Sequence, residues 1–403
     1  RVLCYCEGVA MFWLWLVLAS CKCLLLYILA KTGQSLPRRA RLDEAANRAL
    51  PEDRWPVVGM IVPMAGTDRR MSAAVRSLLI QNYPQYIPVL VTAKNEEPAA
   101  DLVRSIQKDY PHVRHVVAGA AQHCGQKNHN SLHGVAAVKD DVEVFVFCDS
   151  THTARPNFLR HLVGPIATGE AEFSTGYHVV DPRDHRLVTL AYALCVLLMR
   201  LLQAVSSLTQ LWGGAMAMTR EAFSRFAVEE LWASNVVDDC SLSARLQSLR
   251  VPVRLCPGAL LHTEAVKHER QVWRAWMERQ VLFLKFCMPL QWGLLGFMCV
   301  AMVLPPVLAA FMLLGWLFAK VSGLTLALVL LWVVVVAKVL HLWRNLLKRS
   351  ISLARWCLSF LDAVVMFALV YVYSLPARSI VWHGQRYVVG RCGKVLRIER
   401  RFE

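Results

Sequence analysis

Val144-Phe145-Val146-Phe147-Cys148-Asp149-Ser150-Thr151-His152 is the stretch that decides how this 403-residue chain is read. Its β-branched and aromatic residues alternate with no polar interruption, the pattern of a strand buried on both faces of a sheet. A carboxylate at the C-terminal end of such a strand does little for stability. In open α/β sheets ligands bind just outside those ends, which makes Asp149 a candidate ligand-binding residue. The plain alternative is a turn aspartate that caps the next element, since Asp-Ser-Thr is good N-cap chemistry.

Upstream of this strand, Pro56–Val62 reads as a first buried strand ending at Pro63. Asp68–Gln81 has helical periodicity, with Met71, Val75, Leu78 and Leu79 on one face. Ile87–Thr92 and His112–Val117 read as further strands, separated by a polar loop through Glu97-Pro98 and a helix over Ala99–Lys108. This alternation implies a parallel sheet with right-handed crossovers. Downstream, a helix over Asn157–Gly164 comes after Pro156. Leu187–Leu208 is apolar but carries Arg200 and Gln203, which favours a helix at a membrane surface over a span. Leu211–Met218 contains Trp212-Gly213-Gly214, where glycines let backbone approach a ligand closely. Thr219 is placed to cap a short helix. Asp238-Asp239 opens the helix running to Leu246; the helix dipole accounts for one acid, and two adjacent acids behind valines look like a buried functional pair. A strand over Val251–Cys256 and a Trp- and Arg-rich helix over Arg270–Lys285 complete this region.

The composition is 56% hydrophobic, too apolar for an ordinary soluble enzyme, and the excess is concentrated. Met11–Ala30 is long enough to span a bilayer and holds one interior charge, Lys22, which can snorkel or face a partner helix. Its length, and the lack of a small-residue cleavage site, favour a retained anchor over a signal peptide. Leu294–Phe318, Leu324–Val336 and Cys357–Leu375 are further candidate spans. The expected organisation is an anchor (1–32), a juxtamembrane linker (33–55, partly helical), a cytosolic α/β domain (56–280), a membrane region (281–375) and a basic tail (376–403). The net charge of +16 lies at membrane borders, on Arg38, Arg39 and Arg41 and on Arg344, Lys348, Arg349 and Arg355. These are positive-inside signatures placing the domain in the cytoplasm, and no aromatic-interleaved basic motif for nucleic acid appears. Three late spans would leave the tail outside despite Arg386, Arg391, Lys394, Arg397, Arg400 and Arg401; a hairpin broken at Pro305-Pro306 would restore an even count. The 13 cysteines, with Cys4/Cys6 and Cys21/Cys23 the only close pairs, show neither a disulfide framework nor zinc spacing.

In order along the chain, Pro63, Glu97-Pro98, Gly125-Gln-Lys127-Asn-His-Asn130, Cys148-Asp149-Ser150, Trp212-Gly213-Gly214, Asp238-Asp239, Trp276-Met-Glu-Arg279-Gln280 and Trp382-His-Gly-Gln-Arg386-Tyr387 resemble the motifs of family-2 glycosyltransferases, ceramide glucosyltransferase-like members above all. The resemblance covers nearly the whole chain. It implies an α/β fold, the A-type nucleotide-sugar (Rossmann-like) glycosyltransferase domain, joined to transmembrane helices. It further implies inverting transfer of a hexose, glucose foremost, from UDP-glucose or a similar donor to a lipid hydroxyl of ceramide type, in a plasma, Golgi or endoplasmic reticulum membrane. Three departures stand out: Glu97 replaces an aspartate, Asp149-Ser-Thr151 lacks the second acid of Asp-x-Asp, and Trp276 and Gln280 alter (Gln/Arg)-x-x-Arg-Trp.

On this reading Asp239 is the base that takes the acceptor proton, with Asp238 tuning or orienting it. Asp149 holds Mg2+ or Mn2+, and Arg279 and Lys127 cover the diphosphate. Glu97 contacts the nucleotide, while Trp212, Gly213, Gly214 and Gln280 lie beside sugar and acceptor. Plainer readings remain for several residues. Arg279 can snorkel at the membrane, Trp276 and Trp292 can be interfacial anchors, and His129, His152 and His262 read as packing residues. Asp362 is either an intramembrane functional group or wet at an interface. A polysaccharide synthase would want an intact Gln-x-x-Arg-Trp and more spans. A non-catalytic binding protein or transporter should show polar, broken helices in pairs, whereas the late runs here are plain Leu/Val.

Overall fold

The computed structural model describes residues 2–66, 68–318, 322–347 and 349–400. Lys348 and Arg401 lie outside them, as do the side chains of Cys4, Cys6 and Arg400. The chain begins with α1 (Val2–Ala49), β1 (Val58–Pro63), α2 (Met71–Leu79), β2 (Tyr86–Thr92), α3 (Pro98–Asp109), β3 (Arg114–Val117), α4 (Gln126–Ala136) and β4 (Val144–Cys148). It continues through β5 (Thr153–Ala154), α5 (Phe158–Ala167), β6 (Phe173–Pro182), α6 (Leu187–Gln203), β7 (Ala215–Thr219), α7 (Arg220–Arg225), α8 (Val228–Trp232), α9 (Asp239–Ser248) and β8 (Arg254–Ala265). The last part holds α10 (Arg270–Cys287), α11 (Pro289–Leu317), α12 (Gly323–Asn345), α13 (Leu353–Ser374) and strands β9 (Ser379–Trp382), β10 (Gln385–Val389) and β11 (Val395–Arg400).

Strands one to eight form one sheet in the order β3-β2-β1-β4-β7-β6-β8-β5. The β-α-β-α-β alternation gives the parallel half β3-β2-β1-β4, and every residue of β4 is buried, as its unbroken apolar run requires. At β4 the sheet changes character: β7 runs antiparallel to it, with Cys148 opposite Ala215. The carboxyl end of β4 therefore meets the beginning of β7, and Asp149 lands beside Trp212-Gly213-Gly214. The Asp149 N–H donates to the Gly214 carbonyl at 3.2 Å. Four parts of the sheet differ from the residue pattern. β5 and β6 have no counterpart among the expected strands, β8 extends nine residues past Cys256 to Ala265, and Leu211–Gly214 is loop leading into β7.

Among the described residues four helices are long and apolar enough to cross a membrane, namely α1, α11, α12 and α13. α6 has protein on nearly all sides, with Leu190–Leu197 buried in a cluster that also holds Tyr177 of β6, Trp273 and Met277 of α10, and Trp356 and Phe360 of α13. α1 is unbroken through the stretch expected as a linker, and it anchors the domain through Asp43–Arg254 (3.0 Å) and Asn47–Arg160 carbonyl (3.1 Å).

The hairpin expected at Pro305-Pro306 is not formed: α11 runs through both prolines. Pro306 has no N–H to offer the carbonyl of Met302 one turn earlier. The ammonium of Lys22, 2% exposed, supplies the missing donor at 2.9 Å from that carbonyl, with the Phe360 and Trp332 rings around it. Lys22 thus faces a partner helix, and the proline and the buried charge explain each other.

The tail folds as the antiparallel sheet β11-β10-β9 and docks on the α/β domain. Val395 N–H donates to the Ser234 carbonyl at 2.9 Å, and Val236 N–H to that of Gly393 at 3.0 Å. Replacing Lys22 with methionine (Lys22→Met) removes the donor while keeping most of the volume. It should lower stability by about 1–3 kcal/mol, the cost of a buried acceptor left unpaired, seen as a fall in Tm of the detergent-solubilised protein.

Candidate active site

The C-terminal edge of the sheet opens into a cavity of about 890 Å³. The loops after β1, β2 and β4 form one side, α10 another, and the tail residues Trp382, His383, Gln385 and Tyr387 cover it. All the site residues expected from the sequence converge here except Gly213, whose backbone lies just behind the wall.

Lys127 projects from the first turn of α4. Its Nζ stands 2.9 Å from Asp149 Oδ1 and 3.1 Å from Asp238 Oδ2, and donates to the Gly213 carbonyl at 3.0 Å. Asp238, 1% exposed, has the Lys127 ammonium as ion partner at Oδ2 and no hydrogen bond there among the described residues. Burial alone would lower the pKa of the Lys127 ammonium, but the charges of Asp149, Asp238 and Asp239 outweigh it and raise that pKa above the usual lysine value. For Asp149 burial pulls upward, and the nearby Lys127 and His152 prevail and lower its pKa. Asp149 therefore stays ionised, with its side chain about a third exposed toward the cavity.

Asp239, at the start of α9, is held by two backbone donors: Gly213 N–H to Oδ2 at 2.8 Å and Cys240 N–H to Oδ1 at 2.6 Å. Burial, reinforced by the like charge of Asp238, nevertheless pushes its carboxyl up to about 6. The requirement for glycine before β7 is steric. A Cβ on Gly213 would sit 2.8 Å from both Asp238 oxygens and from Lys127 Nζ, and one on Gly214 would meet the Trp212 ring at 2.3 Å.

Glu97 closes the loop after β2, its Oε1 accepting from Ala93 N–H at 2.6 Å and Lys94 N–H at 3.1 Å. Trp276, Arg279 and Gln280 line the cavity from one face of α10. Arg279 has no hydrogen-bond or ion partner among the described residues, and burial lowers its pKa from the usual guanidinium value. An unpaired, half-buried cation facing a cavity is the electrostatic feature of an anion site.

Sequence reasoning missed an aromatic wall. The Trp212 ring stacks on His178 (centroids 4.8 Å, planes 10° apart), with Tyr177 at 5.1 Å and His152 at 5.7 Å. His152, read as a packing residue, lines the cavity with its Nε2 3.8 Å from Asp149 Oδ2. Its Nδ1 is 2.6 Å from the Thr263 hydroxyl, which also lies 3.4 Å from His178 Nδ1. Burial lowers the pKa of both imidazoles from the usual histidine value, which favours their neutral forms. His178 lies on β6, a strand of mixed residues, so no local pattern marked it. His129 instead contacts the Ala118 carbonyl at 2.9 Å, and His262 is outside the cavity. Among the described residues, no group of three or more His, Cys, Asp or Glu side chains is arranged to hold a metal ion.

The model of glycosyl transferase family 21 matches residues 14–395, nearly the whole chain. The chain belongs to that family. Among solved structures it is similar to a mannosyltransferase from Pyrobaculum calidifontis in complex with GDP-Man and Mn2+, at 15% identity and a TM-score of 0.51 over 87% of this chain and 99% of that one. This likeness shows the expected A-type fold. Glucosyl-3-phosphoglycerate synthase from Mycobacterium tuberculosis, in complex with Mn2+, UDP and glucosyl-3-phosphoglycerate, overlaps over 60% of this chain and 81% of its own at 19% identity and a TM-score of 0.38.

For this family 21 glycosyltransferase, Gly213→Ala should lower kcat/KM by about 5- to 150-fold, because accommodating the Cβ displaces Lys127 or the Asp238 carboxylate at a typical overpacking cost of about 1–3 kcal/mol. An unchanged kcat/KM would show that the close packing around Gly213 is not needed.

Proposed function

We propose that this glycosyltransferase moves a hexose, glucose foremost, from a nucleoside diphosphate sugar such as UDP-glucose to the hydroxyl of a membrane lipid of ceramide type, with inversion at the sugar carbon. The observation that carries the reading is the opposition, in one cavity, of a carboxylate poised near pH 6 (Asp239) and cations able to take a diphosphate (Lys127 and the unpaired Arg279). Membership of family 21, which includes ceramide glucosyltransferases, and the apolar helices beside the site support the lipid acceptor and a membrane setting with the α/β domain in the cytosol.

In this mechanism the acceptor hydroxyl gives its proton to Asp239 as its oxygen bonds to the sugar carbon. The bond from that carbon to the diphosphate breaks, and the nucleoside diphosphate leaves with the electron pair. Asp238 keeps the Asp239 pKa high by its like charge. Arg279 binds the leaving diphosphate, where a planar guanidinium grips two oxygens at once, and Lys127 adds a second positive charge. Glu97 orients the loop that meets the nucleotide. The Trp212 ring, Gly213, Gly214 and Gln280 shape the space for sugar and acceptor.

The site suits a divalent ion of modest protein ligation. Asp149 offers one ionised, partly exposed carboxylate, and Mg2+ or Mn2+ at such sites draws most of its remaining ligands from water and substrate phosphates. Bound there, the ion would neutralise charge on the departing diphosphate.

Asp239→Asn should lower turnover about 10²–10⁴-fold, the usual worth of a positioned base, while nucleotide-sugar binding survives. Retained turnover would sink the assignment. Because the base must be ionised, kcat/KM should fall as the pH drops through about 6. Asp238→Asn should move that inflection lower by removing the like charge. A screen of nucleotide sugars against ceramide and other lipid acceptors, with Mn2+ and with chelator, decides the substrates.

A further inference from the structure

We infer that α13 lies in the plane of the bilayer surface and does not cross it, so that the chain crosses three times and the tail sheet remains on the same side as the active site. By composition α13 resembles α1, α11 and α12, and only its contacts set it apart.

Both ends of α13 are tied to the α/β domain, as is its middle. Just before it, Arg349 makes a two-pronged pair with Asp181 of β6, both contacts at 2.6 Å. Halfway along, Asp362 receives both prongs of Arg270, the first residue of the cavity-lining helix α10, at 2.8 and 2.9 Å. At its end, Lys285 of α10 donates to the carbonyls of Ser374 and Leu375 at 2.6 and 2.8 Å. A crossing helix would carry Asp362, and with it Arg270 and the charged helix α10, to the middle of the hydrocarbon. Burying that charge there is the costly placement that membrane proteins avoid.

The face of α13 turned away from its buried residues Trp356, Ala363 and Val370 is apolar and bare, with Asp362 at its border. Leu358, Leu361, Val365, Leu369 and Val372 recur at a three-and-four spacing and are between 47% and 60% exposed. The occupant of this stripe is the boundary between lipid headgroups and acyl chains, because the stripe is continuous with the crossing helices. α11 runs beside α13 from Gly296, which packs under Tyr371, as far as Met302, whose carbonyl and the Phe360 ring share the Lys22 ammonium, and α12 meets it at Trp343, in the same cluster as Phe360. Beyond that level the described turns of α1, α11 and α12 pack on one another, through Trp15, Ala19, Ala309, Met312 and Val329.

The dimensions agree. The part of α11 after Met302, ending at Leu317, rises about 22 Å at 1.5 Å per residue. An in-plane helix sinks ~5–10 Å below the headgroups. Together they match a hydrocarbon core of roughly 30 Å. The exposed tail arginines then lie on the side bearing the α/β domain, and the odd number of crossings needs no hairpin at Pro305-Pro306.

The test is side-specific labelling of the full chain in sealed, oriented vesicles. Single-cysteine variants would be made in a background with the native accessible cysteines replaced, and treated with a membrane-impermeant maleimide. Ser350→Cys, before α13, and Arg386→Cys, after it, should react from the side on which Glu221→Cys in the α/β domain reacts. Ser322→Cys, between α11 and α12, should react from the other. Reaction of Ser350→Cys and Arg386→Cys from opposite sides would overturn the inference. A nitroxide on Leu361→Cys gives an independent reading: a depth near the headgroups supports an in-plane helix, and a depth at the bilayer centre refutes it.

Discussion

A single ammonium group holds the candidate active site together. Lys127 stands between Asp149 and Asp238 and reaches the Gly213 carbonyl, thereby joining the start of α4, the end of β4, the loop before β7 and the residue ahead of α9. Without it two carboxylates would face one cavity beside a third, Asp239, at a steep electrostatic cost. Removing one member of such a buried cluster leaves an uncompensated charge, which typically costs far more than the intact cluster contributes. The lysine therefore acts on geometry as much as on charge. It lets one acid stay ionised toward the cavity while another sits buried at the back and perturbs Asp239.

The sheet makes this meeting possible. Asp149 and Gly213 are more than sixty residues apart in sequence. They become neighbours because the parallel half of the sheet stops at β4 and β7 returns antiparallel beside it. The same reversal brings Tyr177 and His178 on β6 against Trp212, and the ring stack walls off one side of the cavity with a surface suited to a sugar or nucleotide face. From the other side α10 contributes Arg279, and the docked tail covers the opening, so residues from both ends of the family match share one site.

The apolar part of the molecule serves that site as a platform. α6 is packed between the sheet and the long helices, and its neighbours α10 and α13 are cross-linked by the Arg270–Asp362 ion pair and by Lys285 on the Ser374 and Leu375 carbonyls. The cavity is thus tied directly to the apolar bundle through α6, α10 and α13.

Much of this was legible from residue pattern. The buried strand before Asp149, the parallel half of the sheet, the Thr219 cap and the apolar helices come from period, propensity and length, which are local properties. The order of the motifs marked Asp149, Lys127, Asp239 and Arg279, and all four face one cavity. What local pattern could not supply was who meets whom. The Tyr177/His178 wall lies on a strand with mixed residues, the tail strands are only four to six residues long, and Lys127 pairs across more than a hundred residues with Asp238. Pro305-Pro306 read as a break because a chain in isolation has no donor for the freed carbonyl; the fold provides one from Lys22, hundreds of residues away. Sequence alone therefore determined the parallel strands, the helices between them and the apolar segments, since each is decided by neighbours a few residues apart. Tertiary structure decided which charges are paired, which cation is left for a ligand and how α13 is held, because those depend on long-range contacts whose energies appear only once the chain has folded.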